Sequence, residues 1–150
     1  MKDWEIKTIV LGYDGSEGSK RAAELAGSLA RRNSAEVVVV TAFPHESRTI
    51  EVLKGIPYVG PAEPDLPEAS GAASKVAEAV IQEFREAGIA AEADALQGPP
   101  ADALLRAAES HEADLIVIGR RGHGAAAERL LGSTSDSVTR RATVPVLVAH

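Results

Sequence analysis

Short apolar runs rich in β-branched residues alternate along this chain with longer stretches in which apolar residues recur three and four positions apart. The spacing of three and four indicates amphipathic helices, and the unbroken runs VVVV, LIVI and VPVLV indicate strands covered on both faces. Strands that alternate with helices favour right-handed crossovers and a parallel sheet between helical layers. The sequence therefore predicts an open, five-stranded α/β fold of the Rossmann-like kind, with helices on both faces.

The periodicity also predicts where each element lies. Strands are expected at residues 6–13, 36–43, 90–96, 114–119 and 144–149, and helices at 17–32, 68–87, 101–111 and 133–143. Gly88 suits a left-handed C-cap after the second helix, and the Gly98 hinge precedes the third. Ser133 and Asp136 form a Ser-x-x-Asp capping pattern at the start of the fourth helix.

Length and composition suit one domain over residues 1–150. The chain is 45% hydrophobic and has no cysteine. A chain of this size buries roughly 68–70% of its unfolded surface, so it needs neither a disulfide nor a structural metal. The lack of cysteine also excludes a thiolate zinc site and a cysteine nucleophile.

Charge and apolar run length argue against two classes of partner. Asp and Glu number 22 against 16 Lys and Arg, a net charge of -6, which disfavours nucleic acid and acidic membranes. No apolar run approaches the ~20 residues of a transmembrane helix, and the N-terminus lacks a signal-peptide pattern. We expect a cytoplasmic protein that binds neither nucleic acid nor membrane.

One long connection, from Pro44 to Pro67, breaks the regular pattern. It contains five of the eight prolines and shows no sustained period. A loop this long inside a compact domain is usually a lid, a binding segment or disorder.

Glycines are concentrated directly after the fourth predicted strand, in GRRGHGAAAERLLGST at residues 119–134. Gly119, Gly122 and Gly124 suit a turn with positive φ and let a ligand approach backbone N–H groups closely. Such a segment between a strand and a helix predicts a phosphate site.

The fourth helix adds donors to this glycine segment. Ser133 and Thr134 open the helix, whose unpaired N–H groups and positive dipole end attract anions. Arg120 and Arg121 are candidate charge-assisted contacts to phosphate. The alternative is a structural turn followed by a capped helix.

An acidic side chain ends the first predicted strand, in the sequence Tyr13-Asp14-Gly15-Ser16. Ligands of open α/β sheets bind at the carboxyl ends of strands, where the strand order reverses. If the order is 3-2-1-4-5, Asp14 and Gly119 face the same crevice, and the Asp14 carboxylate would take a ribose hydroxyl. Asp14 as the N-cap of the first helix is the alternative, and both roles can coexist.

Other nucleotide and catalytic motifs do not fit. The segment GYDGSEGSK lacks the spacing of a P-loop, and no dinucleotide G-x-G-x-x-G is present. None of the four histidines has a metal-ligand spacing, and neither Ser16 nor Ser133 has a histidine nearby in the sequence. His123, within the glycine segment, is either a phosphate contact or a solvated loop side chain.

The spacing of the glycines in this segment resembles the motif of a known protein family. Gly119 and Gly122 are separated by two residues, and nine residues separate Gly122 from Gly132, which Ser133 follows. This resembles the G-x2-G-x9-G-[ST] motif of the universal stress protein family, specifically its ATP-binding branch. The resemblance extends to residues 10–16, the glycine-proline hinge, ADLIVIG and the closing VPVLVA.

The resemblance implies a site for ATP, with Mg²⁺ or Mn²⁺ bridging the phosphates. It implies that Asp14 meets the ribose or adenosine end and that backbone at Thr41 or Ala42 reads adenine. The candidate nucleotide-binding residues are Asp14, Gly15, Ser16, Thr41, Ala42, Gly119, Arg120, Gly122, His123, Gly132, Ser133, Thr134 and Ser135.

The resemblance also implies a homodimer through the last strand, from Val144 to Val148. An apolar edge strand is prone to pairing, which gives the dimer a physical reason. Pro145 lacks a backbone N–H and so puts the register of that pairing in doubt.

Three functions follow from these inferences, and we favour the first. It is a nucleotide-dependent stress-response sensor, in which ATP settles the long loop and the dimer surface for a regulatory protein partner. The second is a slow ATPase or self-phosphorylating protein with Ser133, Thr134 or Ser135 as acceptor, although Asp14, the one candidate base, is assigned to the far end of the nucleotide. The third is a nucleotide-free dimeric adaptor, against which the intact motif argues.

Overall fold

The computed structural model describes residues 4–43, 66–122 and 131–150, which form the expected alternation of strands and helices. The strands are β1 (Thr8–Gly12), β2 (Glu36–Phe43), β3 (Ala91–Gln97), β4 (Leu115–Gly119) and β5 (Val146–Ala149). The helices are α1 (Glu17–Asn33), α2 (Leu66–Glu86), α3 (Pro100–Ser110) and α4 (Ser133–Arg141).

The strands form one parallel sheet in the order β3-β2-β1-β4-β5, which confirms the predicted fold class. β1 pairs with β2 on one side and with β4 on the other, so the strand order reverses beside β1. The carboxyl ends of β1 and β4 are therefore neighbours at the position where open α/β sheets bind ligands.

Two apolar layers explain why the central strands lack polar residues. Val37 and Val39 pack with α1 and α2, while Val38 and Val40 pack with α3 on the opposite face. All four side chains are at most 3% exposed. Burial on both faces requires apolar residues at successive positions, which is why the sequence reads VVVV rather than an alternating pattern.

Two glycines adopt the backbone conformation predicted for them at helix ends, whereas the predicted cap of α4 is not found. Gly88 has a φ of +75° after α2, and Gly98 has a φ of +120° before α3, as expected of a C-cap and a hinge. The predicted serine cap of α4 is wrong: its N-cap is Gly132, with no side-chain hydrogen bond, and Ser133 is the first helical residue. One residue of offset therefore removes Ser133 from the position in which a hydroxyl caps a helix.

The long connection is only partly within the described residues. Leu66 and Pro67 belong to the first turn of α2, two residues earlier than the predicted helix start. Residues 44–65, and with them the expected lid, lie outside the described residues.

The β5 edge of the sheet presents an uninterrupted backbone. The Pro145 and Ala149 carbonyls accept hydrogen bonds from the Ile116 and Arg120 N–H groups of the β4 side, at 3.0 and 2.8 Å. Alternate residues face opposite neighbours, so the backbone groups of Val146 and Val148 face outward. Pro145 lies before β5, and its carbonyl faces β4, so within β5 itself every residue keeps its backbone N–H.

The β3 edge is covered at both ends by arginines. Gly98 donates to the Phe43 carbonyl of β2, and by alternation the Gln97 and Ala91 carbonyls face outward. Arg85 of α2 donates to the Ala91 carbonyl at 3.4 Å, and Arg106 of α3 donates to the Gln97 carbonyl. Charged side chains at a strand edge oppose pairing with another chain.

Thr41 carries the one buried side-chain polar atom without a hydrogen-bond partner among the described residues, its Oγ1. The residue is 3% exposed. A buried hydroxyl without a partner costs about 1–3 kcal/mol, so we expect Thr41→Val to raise the free energy of unfolding by about 1 kcal/mol. Urea denaturation followed by circular dichroism measures the change.

Thr8→Val is the matched control for this substitution. Thr8 is also buried, but its Oγ1 donates to Glu36 at 3.1 Å, so the same change should lower the free energy of unfolding. Equal destabilisation by the two substitutions would contradict the prediction for Thr41.

Candidate functional site

A cavity of about 120 Å³ lies at the carboxyl ends of β1, β2 and β4. It lies beside the reversal of strand order, on the side of the sheet covered by α3. Its lining residues are Gly12, Tyr13, Asp14, Ser16, Ser19, Val40, Ala42, Pro100, Leu104, Ile118, Gly119, Arg121, Gly122 and Thr134.

One wall of the cavity is apolar. Val40, Leu104 and Ile118 line it and are each 3% exposed. A Cβ at Gly12 would lie 3.0 Å from Ile118 Cγ2 and 3.1 Å from Leu104 Cδ1, so glycine at this position keeps the floor open. An apolar wall of this kind suits a planar ring.

Backbone groups of β2 border the apolar wall. Tyr13 donates its N–H to the Val40 carbonyl at 3.0 Å, so residue 40 faces β1. By alternation Ala42 also faces that side, past the end of β1, while Thr41 pairs in register with Ala95 of β3. Ala42 lines the cavity and Thr41 does not, which distinguishes the two candidates that the sequence left open.

The Asp14 carboxylate lies beside the N-terminus of α1. Its Oδ1 accepts the Ser16 N–H at 2.9 Å. The N-cap of α1 is Ser16, whose Oγ accepts the Ser19 N–H at 3.2 Å, so Asp14 is not the cap. Asp14 instead lines the cavity, and its Oδ2 lies 2.5 Å from where a Cβ of Gly122 would be.

Close backbone packing explains the glycines around the cavity. A Cβ at Gly119 would lie 2.5 Å from the Gly18 carbonyl carbon, and a Cβ at Gly18 would collide with the Arg121 carbonyl oxygen. The expectation of positive φ at Gly119 and Gly122 is wrong, because the left-handed glycines of the described chain are at positions 15, 88 and 98. These glycines are needed for space, not for a left-handed turn.

The two ends of the glycine segment are joined through the Arg120 carbonyl. It accepts the Gly132 N–H at 2.8 Å and the Ser135 Oγ–H at 2.8 Å. On its other side the Arg120 N–H donates to the Ala149 carbonyl of β5. This arrangement fixes the start of α4 beside the carboxyl end of β4.

The lining of the cavity includes hydrogen-bond donors, one basic residue and one acidic residue. Arg121 and Asp14 line it, and so does Thr134 in the first turn of α4, where helix N–H groups have no partner within the helix. Tyr13 lines the cavity, while its side chain packs against the α1 and α2 layer; burial there raises the pKa of its hydroxyl, and Glu83 raises it further, so the phenol is neutral at pH 7. The arrangement suits a ligand with a planar ring, hydroxyl groups and an anionic end.

The structure brings together only part of the predicted site. Asp14, Ser16, Ala42, Gly119, Gly122 and Thr134 line the cavity. The remaining described candidates do not line it: Gly15, Thr41, Arg120, Gly132, Ser133 and Ser135. His123 lies outside the described residues.

Sequence reasoning missed the apolar wall and two lining residues that carry hydroxyl groups. Val40 and Ile118 end the runs VVVV and LIVI, which were interpreted only as strands covered on both faces. Ser19 and Tyr13 carried no motif signal, and Pro100 belongs to the glycine-proline segment that was interpreted only as a hinge. Arg121, rather than its neighbour Arg120, lines the cavity.

Neither a metal centre nor a membrane span is found in the described parts of the chain. Across residues 4–43, 66–122 and 131–150, no group of three or more His, Cys, Asp or Glu side chains could hold a metal ion. In the same residues, every helix is too short or too polar to cross a membrane.

Comparison with known proteins gives one consistent family. The model of the universal stress protein family matches residues 5–150. A universal stress protein of Thermus aquaticus is 41% identical over 97% of this chain and 99% of its own length. Universal stress protein Rv1636 of Mycobacterium tuberculosis is 35% identical over 96% of each chain.

A solved structure adds a ligand to this comparison. A universal stress protein in complex with cAMP is 29% identical, with a TM-score of 0.72 over 97% of this chain and 98% of the other.

Proposed function

This chain belongs to the universal stress protein family, and from that premise we propose that it binds an adenine nucleotide, ATP first, at the carboxyl edge of the sheet and acts as a nucleotide-dependent sensor. The observation that carries the proposal is the cavity between β1, β2 and β4, which joins an apolar wall to a carboxylate and to the glycine segment. The complex of a related family member with cAMP supports an adenine nucleotide as the ligand.

The base belongs at the apolar end of the cavity. Val40, Leu104 and Ile118 offer a surface for the ring, and the backbone N–H and C=O of Ala42 face the same space. One donor and one acceptor match the adenine edge, on which N1 accepts and the N6 amino group donates.

The ribose and the phosphates belong at the polar end. Asp14 is the carboxylate among the lining residues, and a carboxylate accepts hydrogen bonds from ribose hydroxyls. Backbone at Gly119 and Gly122, with the first turn of α4 at Thr134, offers N–H groups to phosphate. Arg121 adds a positive charge beside them.

Mg²⁺ or Mn²⁺ would reach this site with the nucleotide. The described residues supply no metal-binding group of three, and Asp14 is the one lining carboxylate. Mg²⁺ is commonly bound through substrate phosphates, waters and one or two carboxylates, which fits this donor set. The ion would supply charge neutralisation for the phosphates.

The hydrogen bonds and the burial of the candidate catalytic side chains favour sensing over catalysis. Asp14 Oδ1 already accepts the Ser16 N–H, and its place in the proposal is at the ribose. Ser135, a candidate phosphate acceptor, is 2% exposed and its hydroxyl donates to backbone carbonyls. We therefore expect slow turnover, with the nucleotide-loaded state read by a regulatory protein partner in the cytoplasm.

A homodimer through β5 is part of the proposal. The outward backbone groups of Val146 and Val148 offer a regular ladder, and the side chains of β5 are apolar. An edge of this kind pairs with a second copy of itself.

Calorimetric titration of nucleotide-free protein with ATP and Mg²⁺ tests the nucleotide site. We expect micromolar or tighter binding, and Asp14→Asn should weaken it about tenfold or more, because a charge-assisted hydrogen bond contributes about 1.5–3 kcal/mol. AMP and cAMP, titrated in parallel, identify the preferred phosphate form. Phosphate release measured at saturating ATP separates a sensor from an ATPase.

Glu17→Gln is the control for the loss of a negative charge near the start of α1, since the Glu17 carboxylate pairs with Lys20 and does not line the cavity. A folded wild type that binds none of the three nucleotides would rule out the proposed function. Unchanged ATP affinity in Asp14→Asn would remove Asp14 from it.

A further inference from the structure

We propose that Ser135 is a positioning residue for the phosphate end of the site, holding Arg120 next to Gly132, and with it the cavity-lining residues Arg121 and Gly122, without touching the nucleotide. The inference rests on the proposed function and concerns how the same site is built. Ser135 lies beyond the serine that closes the glycine motif, and its side chain does not line the cavity.

The surroundings of Ser135 explain why it cannot serve as a ligand contact. The residue is 2% exposed, and its Oγ lies 2.8 Å from the Arg120 carbonyl oxygen and 3.0 Å from that of Gly132. A hydroxyl has one hydrogen to donate, and these two acceptors compete for it. The Ser135 hydroxyl is therefore committed to the backbone of the glycine segment.

Those two carbonyls belong to opposite ends of the segment. Arg120 follows β4 directly, and Gly132 is the N-cap of α4. The Gly132 N–H and the Ser135 hydroxyl meet on the same Arg120 carbonyl oxygen, so two hydrogen bonds in place of one join Arg120 to the start of α4. Removing the hydroxyl leaves the Gly132 N–H alone to join them.

The hydrogen bonds that join Arg120 to the start of α4 matter because the two residues after Arg120 line the cavity. Arg121 and Gly122 continue from Arg120, and a Cβ at Gly122 would already lie 2.5 Å from Asp14 Oδ2. On the other side of the segment, a Cβ at Gly132 would lie 3.2 Å from the Arg120 carbonyl oxygen. With packing this close, a shift of the Arg120 peptide moves the phosphate-facing backbone relative to Asp14.

The apolar wall does not depend on these hydrogen bonds. Val40 and Leu104 are held by β2 and α3, within the buried layer on that face of the sheet. A defect confined to the glycine segment should therefore weaken contacts to phosphate and leave contacts to adenosine intact. A general loss of stability would weaken both.

The test compares ATP with adenosine in Ser135→Ala by calorimetric titration. We expect the affinity for ATP to fall about tenfold and the affinity for adenosine to change less than twofold. Ser137→Ala, on the same helix with its Oγ at the surface beside Arg141, is the matched control and should bind both ligands as the wild type does. Thermal unfolding of each variant establishes that it is folded.

Three outcomes would overturn the proposal: equal loss of affinity for both ligands, no loss for either, or a wild type that binds ATP no more tightly than adenosine. A wild type that binds neither ligand overturns the proposed function together with this one, whereas unchanged binding by Ser135→Ala overturns this one alone. If the alanine variant does not fold, Ser135→Cys, whose slightly larger thiol is only a weak donor, takes its place in the same comparison of ATP with adenosine.

Discussion

Gly122→Val should lower the affinity for ATP about 100-fold, which corresponds to about 2.7 kcal/mol of binding free energy. The valine Cβ would lie 2.5 Å from Asp14 Oδ2, so either the carboxylate or the glycine segment must move. Either movement separates the proposed ribose contact from the proposed phosphate contacts, and the added methyl groups occupy space at the cavity wall. Calorimetric titration with ATP and Mg²⁺ measures the loss.

Gly71→Val is the matched control for this large effect. Gly71 lies on the exposed face of α2, and a Cβ there would meet nothing within 4 Å. The control should bind ATP like the wild type, with similar unfolding. If Gly122→Val also binds like the wild type, the glycine segment is a structural turn and the nucleotide site lies elsewhere.

Val148→Pro should convert the proposed dimer into a monomer. The N–H of Val148 faces outward from β5, so proline removes a donor from the pairing edge while the hydrogen bonds between β4 and β5 stay intact. Proline is tolerated on an edge strand at such a position, and we therefore expect a folded variant. Size-exclusion chromatography with light scattering measures the mass in solution.

Val148→Ala removes most of the side chain but keeps the N–H, and it should remain dimeric if backbone pairing is what joins the two copies. A dimeric Val148→Pro variant would refute pairing through this edge, and a monomeric wild type would refute the dimer itself.

The fold was predictable from sequence because a strand that is buried on both faces of the sheet carries apolar residues at successive positions. Residues such as Val38 and Val39 face opposite layers and both are buried, so the strand appears as an unbroken apolar run. The position of Asp14 after β1 followed from the same pattern. The ends of the strands were less predictable. Val144 and Pro145 continue the apolar run in the sequence, but β5 begins at Val146.

The site was only partly predictable because several of its contacts are set by distant backbone. The conflict of Gly119 with Gly18 joins positions that lie far apart in the sequence. The hydrogen bond from Ser135 to Arg120 likewise spans 15 residues and follows no motif. Composition reveals that glycines are present, but only the packed structure shows whether space or a left-handed φ requires them.

The two edges of the sheet differ in a way that would limit the size of an assembly built by strand pairing. Two copies joined at β5 would make a continuous sheet of ten strands with β3 at both ends, because each copy has the order β3-β2-β1-β4-β5. At each end Arg85 and Arg106 already occupy outward carbonyls of β3. In the proposed dimer, growth by strand addition would therefore stop at two copies, whereas the same pairing in a sheet with two open edges could continue into a fibre.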